Sequence, residues 1–387
     1  PPLFTSRRRH TRTCLKSRGL GDVYKRQVLD LATQIQQIPA PTFDEIGRAE
    51  MIADRFLQEN LCDVEIDELG NVFARLSGDD QSHPIVVSAH SDTVFPRETD
   101  LAFKRDPDKI YGPGIGDNSL GVAGLFGLIW ELRQRRIRLP GDIWLVSNVC
   151  EEGLGDLKGM RAVVERFGNR PLAYLILEGM AYGEVFHRGL GVQRYRITAY
   201  TEGGHSWADY GVPSAIHDLA ALVTKITALE IHQKPRTSLN VGTISGGTSI
   251  NTIAAQAYLE LDLRSENPET LGNLVEQVEA LVFAANTPSM KIEAEIIGQR
   301  PAGEISAQHP LVKLAVETLE SQGTRPHLNI GSTDANIPLS QGLPAICIGL
   351  THGRGAHTIG EYIFPAYLQK GLDQLVEVVS KIFRELN

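Results

Sequence analysis

Apolar residues recur along this chain with two different periods, and their alternation predicts the first domain. Between Val28 and Pro39 they lie on one face of a helix, and a second helix follows over residues 46–57. Short apolar runs then predict strands at 72–76, 85–89, 143–149 and 172–177, with helices at 118–132 and 157–166. Strands that alternate with helices indicate an α/β domain around a largely buried sheet.

The pattern changes after Gly191, where the order of elements becomes βαββαβ. The predicted elements are strand 192–201, helix 213–229, strands 238–244 and 256–263, helix 268–284 and strand 291–297. This order predicts a small sheet with helices on one face. From about Pro301 the α/β rhythm resumes with a helix at 310–322, a strand at 345–350 and a helix at 365–386. We therefore expect one discontinuous domain over 28–190 and 302–387, interrupted by a compact insert over 191–301.

Residues 1–27 do not fit this pattern. They contain eight Lys or Arg and one acidic residue, Asp22. Without them the chain has 30 basic residues (38 less 8) and 46 acidic ones (47 less 1), a net charge of −16. A targeting leader would need an apolar core or an amphipathic, Ser-rich pattern, and a nucleic-acid arm finds no support in the acidic remainder. We expect a non-native or disordered extension, with the folded chain starting near Val28.

The remaining composition narrows the class of protein. Hydrophobic residues make up 42% and charged residues 22%, and no apolar run is long enough to span a bilayer. The four cysteines lack CxxC spacing, which argues against a disulfide framework or a thiolate zinc site and fits a reducing cytoplasm. We expect a cytoplasmic protein without nucleic-acid or membrane partners.

Candidate chemistry lies where predicted strands end, which is where open α/β sheets place their sites. Taken singly, each segment has an ordinary structural explanation, such as a helix cap or a solvated turn. Together they supply histidine and carboxylate ligands without thiolates, a set that suits Zn²⁺, Co²⁺ or Mn²⁺ in a two-metal site. The segments are SAHSD (88–92), GPGIGDN (112–118), CEEG (150–153), Glu178 after an apolar strand, and GRGAHT (353–358).

With these residues in place, the chain from Val28 to Asn387 resembles the M20 family of metallopeptidases. Further matching segments are GGHS (203–206), Asn251, Asp262-Leu263-Arg264 and GSTDAN (331–336). The resemblance implies a three-layer zinc-peptidase catalytic domain and a ferredoxin-like βαββαβ insert that acts as a lid and forms a homodimer. It also implies two divalent metal ions, zinc or else cobalt or manganese.

The same resemblance implies a role for each matching residue. His90 and Glu178 would bind one metal, Glu152 and His357 the other, and Asp117 would bridge them, followed by a peptide bond that is often cis in relatives. Asp92 would orient His90, and Glu151 would act as the general base. His205 would reach the site of a neighbouring subunit and polarise the scissile carbonyl. The substrate carboxylate would be bound by Asn251, Arg264 and Arg300.

Two departures from the family pattern stand out, and three functions remain open. Asn118 follows the bridging Asp117 where many relatives have a second acidic residue, and Cys150 precedes the glutamate pair. A carboxypeptidase- or dipeptidase-type enzyme acting on small peptides is favoured. An N-acyl-amino-acid deacylase would share every catalytic residue, and an inactive peptide-binding relative would have lost one. A purely structural zinc is disfavoured because such sites are closed and rich in cysteine.

Overall fold

The structure, a computed structural model, describes residues 23–79, 82–231 and 233–386. They form two compact units. The first contains the described residues up to His187, together with Ile305–Asn329 and the chain from Thr333 onward. The second contains Arg188–Glu304 with Ile330–Ser332. The insert predicted over 191–301 falls within this second unit.

The helices and strands follow one another as the apolar pattern predicts, with short additional strands between them. The helices are α1 (23–36), α2 (Ile46–Gln58), α3 (Leu120–Arg135), α4 (Lys158–Phe167), α5 (Ala215–Thr227), α6 (Pro268–Ala285), α7 (Pro310–Ser321), α8 (Asn336–Ser340) and α9 (Leu368–Glu385). The strands are β1 (Cys62–Ile66), β2 (Val72–Leu76), β3 (Ser82–His90), β4 (Lys104–Arg105), β5 (Ile110–Tyr111), β6 (Gly141–Asn148), β7 (Ala173–Glu178), β8 (Glu184–Gly189), β9 (Gly191–Thr201), β10 (Gly204–His205), β11 (Thr237–Gly246), β12 (Thr252–Ile253), β13 (Gln256–Ser265), β14 (Met290–Arg300), β15 (Gly303–Glu304), β16 (His327–Gly331), β17 (Ala345–Gly349), β18 (His352–Arg354) and β19 (Tyr362–Phe364).

The first unit is built on a mixed sheet whose strands run in the order β1-β2-β6-β3-β7-β17-β8. The four central strands, β6, β3, β7 and β17, are parallel to one another, whereas β2 pairs antiparallel with β6 and β8 pairs antiparallel with β17. Every residue of β17 is buried, as expected for a strand covered on both faces. Helix α3 packs against β3 and β7, and α9 packs against α3 and α7.

The second unit has the βαββαβ order expected from its sequence. Its antiparallel sheet runs β11-β13-β9-β14, which is the strand order of a ferredoxin-like fold. Helices α5 and α6 pack on this sheet, and their apolar faces share one hydrophobic cluster with the alternating buried residues of β9 and β13. Strand β11 lies at one edge of the sheet and β14 at the other.

The structure differs from the sequence prediction at several places, and β1, β8, β16 and α8 were not predicted. The helix expected from Val28 already covers residue 23, and the Tyr24 ring stacks on Trp130. Residues 1–22 lie outside the described residues, so the rest of the predicted extension stays a prediction. The helix expected from 118 begins at Leu120, after a turn of wider winding over Ile115–Ser119. The small sheet β18-β19-β5-β4 was not predicted, since its strands have only two or three residues each.

Within the described residues, the helices are too short or too polar to cross a membrane. The three described cysteines are free thiols.

A glycine in α9 tests how closely that helix approaches the sheet. A Cβ atom at Gly371 would lie 2.0 Å from the carbonyl oxygen of Leu350, at the end of β17. We expect Gly371→Ala to destabilise the protein by about 1–3 kcal/mol through overpacking, although alanine is the better helix former. The matched control is Gly272→Ala in α6, where a Cβ atom meets nothing within 4 Å. There we expect a gain of about 0.5–1 kcal/mol. Scanning calorimetry of both variants would contradict this packing if Gly371→Ala were as stable as Gly272→Ala.

Candidate active site

The candidate residues of the first unit meet because four parallel strands end at the same edge of the sheet. His90 is the last residue of β3 and Glu178 the last residue of β7. Ser88 pairs with Ile176, so these two ends lie at the same level. The glutamate pair 151–152 follows the end of β6, and His357 lies in the loop between β18 and β19, which follow β17. The strand pairing therefore brings residues from distant parts of the chain to one edge.

Two histidines face opposite oxygens of a single carboxylate. The Nε2 atom of His90 lies 3.2 Å from Asp117 Oδ1 and 3.9 Å from Glu178 Oε2. The Nε2 atom of His357 lies 3.1 Å from Asp117 Oδ2 and 3.1 Å from Glu152 Oε1. Ligand atoms of His90, Asp117 and Glu152 all lie within 4.8 Å of one another. The structure thus places His90 beside Glu178 and His357 beside Glu152, with Asp117 between the two pairs.

The loop that carries Asp117 is shaped by glycines and held by Asn118. Gly114 adopts a left-handed φ of 71°, and the Asp117–Asn118 peptide is cis. The side-chain oxygen of Asn118 accepts hydrogen bonds from the N–H groups of Gly121 (3.1 Å) and Gly179 (3.0 Å). Its amide nitrogen donates to the Leu177 carbonyl at 2.8 Å. Asn118 therefore fixes the backbone on both sides of Glu178. The contact with the Leu177 carbonyl requires a side-chain donor, which an ionised acid lacks.

Asp92 connects the first histidine to the glutamate pair. Its buried carboxylate accepts the backbone N–H groups of Glu151 and Glu152, each at 2.9 Å, and the hydroxyl of Thr42 at 2.9 Å. His90 Nδ1 lies 3.4 Å from the same carboxylate and 3.2 Å from the Asp92 carbonyl oxygen. Asp92 therefore lies beside His90 and holds the backbone of both glutamates.

The electrostatics of this edge are dominated by carboxylates. Burial raises the pKa of Glu178 well above its ordinary value, and the charges of Asp117 and Glu151 raise it further. Burial opposes protonation of His90, but hydrogen bonds to Asp117 and Asp92 outweigh it, so the pKa of His90 is raised. Hydrogen bonds to Asp117 and Glu152 raise the pKa of His357 to about 10. Both histidines are thus drawn toward the positive form by the acids around them.

The donor chemistry of this edge fits divalent metal ions. Imidazole nitrogens and carboxylate oxygens without thiolates suit Zn²⁺, Co²⁺ or Mn²⁺. The excess of buried carboxylates over histidines also calls for additional positive charge, because buried charges must be paired. His90, Glu151 and Glu152 are almost completely buried, whereas 55% of the His357 side chain is exposed, so the cluster is reached from the side of His357.

Sequence reasoning missed two buried charged residues beside this cluster. The Glu361 carboxylate accepts hydrogen bonds from three backbone N–H groups of the Asp117 loop. The Arg48 guanidinium is completely buried and donates to the carbonyl oxygens of Ile38 and Ser91, each at 2.8 Å. Glu361 follows a polar, glycine-containing turn and Arg48 lies in an ordinary amphipathic helix, so their sequence context predicts exposure. Only the charge of Arg48 amid apolar positions 49 and 52 could have drawn attention to it.

In the second unit, His205 and Asn251 lie close together. Strand β10 ends in His205 and pairs with β12, and the N–H of Ser206 donates to the Asn251 carbonyl at 3.0 Å. The Nδ1 atom of His205 accepts the backbone N–H groups of Trp207 (3.2 Å) and Ala208 (3.3 Å). In a neutral imidazole this places the proton on Nε2, which becomes a hydrogen-bond donor on an exposed side chain.

The two candidate arginines lie on either side of one residue of β9. Val192 pairs with Arg264 of β13 on one side and with Arg300 of β14 on the other. Directly paired residues of an antiparallel sheet point to the same face, so both arginines share a face. Arg264 is paired with Asp262 at 2.7 Å, and Arg300 donates to the carbonyl and hydroxyl oxygens of Ser332 at 3.1 and 3.2 Å.

Comparison with known proteins finds a matching family and solved structures of the same fold. The sequence model of peptidase family M20/M25/M40 matches residues 86–381. A succinyl-diaminopimelate desuccinylase from Corynebacterium glutamicum is 25% identical over 64% of this chain and 69% of its own length. A tripeptidase from Staphylococcus aureus has the same fold, with a TM-score of 0.79 and 21% identity over 93% of this chain and 99% of its own. The Bacillus subtilis YXEP protein, described as a dinuclear metal binding peptidase, aligns with a TM-score of 0.69 and 16% identity over 94% and 99%.

The contacts of Asp92 predict the effect of replacing it. Asp92→Asn turns an NH₂ group toward one of the two backbone N–H donors and removes the negative charge beside His90, so we expect metal affinity to fall by about 10- to 100-fold. The matched control is Asp142→Asn at the start of β6, whose carboxylate accepts the N–H of Gly78 at 2.9 Å and bonds Arg75. We expect this control to keep the affinity of the wild type. Competition titration with a chromogenic chelator measures both, and equal affinities in the two variants would contradict the role of Asp92.

Proposed function

This chain belongs to peptidase family M20/M25/M40, and from that premise we propose that it is a two-metal hydrolase cleaving the amide bond of a small peptide. The cleavage is of the carboxypeptidase or dipeptidase type. The observation that carries the proposal is the position of Asp117, with each of its oxygens within 3.2 Å of a different histidine. Each histidine also lies beside a carboxylate of its own, Glu178 or Glu152.

The proposed metal ligands are the residues of this edge. His90 and Glu178 would hold one ion, Glu152 and His357 would hold the other, and Asp117 would serve both. When bound, two such ions, zinc or else cobalt or manganese, polarise a water molecule and the carbonyl group that it attacks. The protein contributes fixed positions, because Asp92 and Asn118 hold the backbone next to several of these ligands.

Glu151 is the proposed general base. It is buried beside the cluster, and its charge acts on both His90 and Glu178. Its backbone N–H donates to Asp92 at 2.9 Å. In the proposed reaction its carboxylate takes a proton from the attacking water and passes it to the leaving nitrogen. The exposed Nε2–H of His205 is a suitable donor for the negative charge that develops on the carbonyl oxygen. Asn251, Arg264 and Arg300 are proposed to bind the substrate carboxylate.

The alternative is an N-acyl-amino-acid deacylase. It would use the same metal edge and the same general base, and it is favoured by the likeness to a succinyl-diaminopimelate desuccinylase. The difference between the two reactions lies in the group on the acyl side of the amide bond. Substrate preference therefore has to be measured directly. A catalytically inactive relative would bind metal without hydrolysing either class, and a cytoplasmic location stays a prediction.

The central experiment assays amide hydrolysis on dipeptides and N-acyl amino acids. Metal-stripped protein should be inactive, and reloading with zinc, cobalt or manganese should restore activity with two ions per chain. Glu151→Gln should lower kcat by about 10²- to 10⁴-fold while both ions remain bound, because a general base contributes on that scale. A reloaded protein that binds no metal would refute the proposal. Preference within the panel separates the peptidase from the deacylase.

The second unit is proposed to act as a lid that forms a homodimer, with His205 serving the site of the partner subunit. Strand β11 leaves one edge of its sheet open, and Ile244 on that strand is exposed, as is Ile250 near β12. An exposed edge with apolar side chains favours pairing with a second chain. A two-fold arrangement would present the same edge on both copies.

Mixing two inactive variants tests this arrangement. His205→Ala and Glu151→Gln should each be nearly inactive alone. After subunit exchange, half of the dimers contain one copy of each variant. If the partner supplies the histidine, one of the two sites in such a dimer has both Glu151 and His205, and the other site has neither. We therefore expect recovery of about a quarter of wild-type activity. No recovery, in dimers shown by sedimentation to have exchanged, would mean that His205 acts within its own chain or not at all.

A further inference from the structure

Glu361 is a buried carboxylate in a segment whose neighbours are exposed. It lies between the exposed turn 354–360 and strand β19, and its own exposure is 0%. Its Oε1 atom accepts the N–H groups of Gly116 at 2.6 Å and Asp117 at 2.9 Å, and Oε2 accepts the N–H of Gly114 at 3.0 Å. Its main-chain oxygen accepts a fourth N–H, from Gly112, at 3.0 Å. One residue thus binds four donors of the same six-residue loop.

The loop needs an acceptor of this kind. Gly114 has a left-handed φ, and Asp117 and Asn118 have non-helical backbone angles. Because this loop is not a regular helix, its N–H groups need acceptors from another part of the chain. A buried N–H group without an acceptor is costly, and backbone hydrogen bonds of a buried loop must be found elsewhere. The loop also has little freedom on its other side. A Cβ atom at Gly116 would lie 2.3 Å from Met180 Cγ.

The same residue is tied to the loop that carries His357. The N–H of Glu361 donates to the Thr358 carbonyl at 3.2 Å, and the N–H of Thr358 donates to Gly355 at 3.0 Å. Strand β19, which starts at the next residue, pairs with β5, so that Tyr362 lies opposite Tyr111. This pairing joins the segment after His357 to the segment before Asp117.

Aromatic contacts hold the other side of this junction. The rings of Tyr111 and Tyr362 are 5.3 Å apart. The ammonium group of Lys109 lies over the rings of Tyr362 and Phe364, at 4.5 and 5.5 Å from their centroids. These contacts restrain β19 against β5, and they thereby hold the carboxylate of Glu361 against the Asp117 loop.

We infer that Glu361 is a positioning residue that sets Asp117 against His357 and thereby determines how tightly the cluster holds metal. The inference rests on the proposed metal centre. Glu361 itself contacts backbone groups and not the reacting atoms. A carboxylate suits this role because both of its oxygens accept, whereas a glutamine would turn an NH₂ group toward one of the three N–H donors.

The test compares Glu361→Gln with Glu131→Gln. Glu131 is a buried glutamate of α3 in the same unit, and its partners are the side chains of Arg135 and Gln369. Both variants lose hydrogen bonds of a buried carboxylate and are expected to unfold at lower temperature. Only Glu361→Gln should weaken metal binding, by about 10- to 100-fold, as is usual for residues that support ligands from behind. It should also alter the visible spectrum of the cobalt-loaded protein and lower kcat more than it raises KM.

The outcomes separate this inference from the proposed function. A wild-type protein that binds no metal would refute the metal centre and remove the basis of the inference. If the wild type binds metal and Glu361→Gln binds it with equal affinity and an unchanged cobalt spectrum, the inference is wrong and Glu361 serves stability alone.

If Glu361→Gln does not fold, amide hydrogen exchange of the wild-type protein tests whether Glu361 holds the Asp117 loop. The amide protons of Gly114, Gly116 and Asp117 should be as protected as those of β7. Rapid exchange of these three would overturn the inference.

Discussion

The crowding of carboxylates at one edge of the sheet is the constraint that the rest of the first unit has to satisfy. Asp92, Asp117, Glu151, Glu152 and Glu178 all lie at that edge, mostly shielded from water. Burial raises the pKa of Glu178, and the like charges of Asp117 and Glu151 raise it further. Two histidines and the buried Arg48 offset part of this charge. A site with this excess of acid is complementary to cations, and the remainder of the fold keeps it assembled.

Hydrogen bonds from backbone N–H groups to buried carboxylates hold most of this acidic cluster together. Asp92 binds the N–H groups of residues 151 and 152, and Glu361 binds those of the Asp117 loop. Such charge-assisted bonds are stronger than neutral ones, and they restrain the backbone as well as the side chain. The apolar strands beneath, with β17 buried throughout, supply the hydrophobic stabilisation that offsets the desolvation of these charges. Stability and preorganisation therefore come from different layers of the same unit.

The difference between the apolar strands and the hydrogen-bonded loops above them explains how much could be predicted from the sequence. The long apolar strands and amphipathic helices were predicted within a few residues, because burial on one or both faces leaves a periodic pattern. Candidate ligands could be named because His90, Glu152 and Glu178 lie at or just after the ends of those strands. Strands β5, β18 and β19 have two or three residues and no period, so they are defined only by their partners. Glu361 could not be found for the same reason, since its turn reads as polar and exposed until the Asp117 loop is placed above it.

Asn118 shows the same limit from the opposite direction. The sequence identifies it as a departure from an acidic pattern, but it does not indicate that the asparagine has a structural role. In the structure its oxygen accepts the N–H of Gly179 while its nitrogen donates to Leu177, so one amide clamps both sides of Glu178. An aspartate would have to be protonated to make both contacts, and burial in acidic surroundings would favour that form. The asparagine provides this donor at every pH, so the position of the Glu178 backbone does not depend on a proton being present.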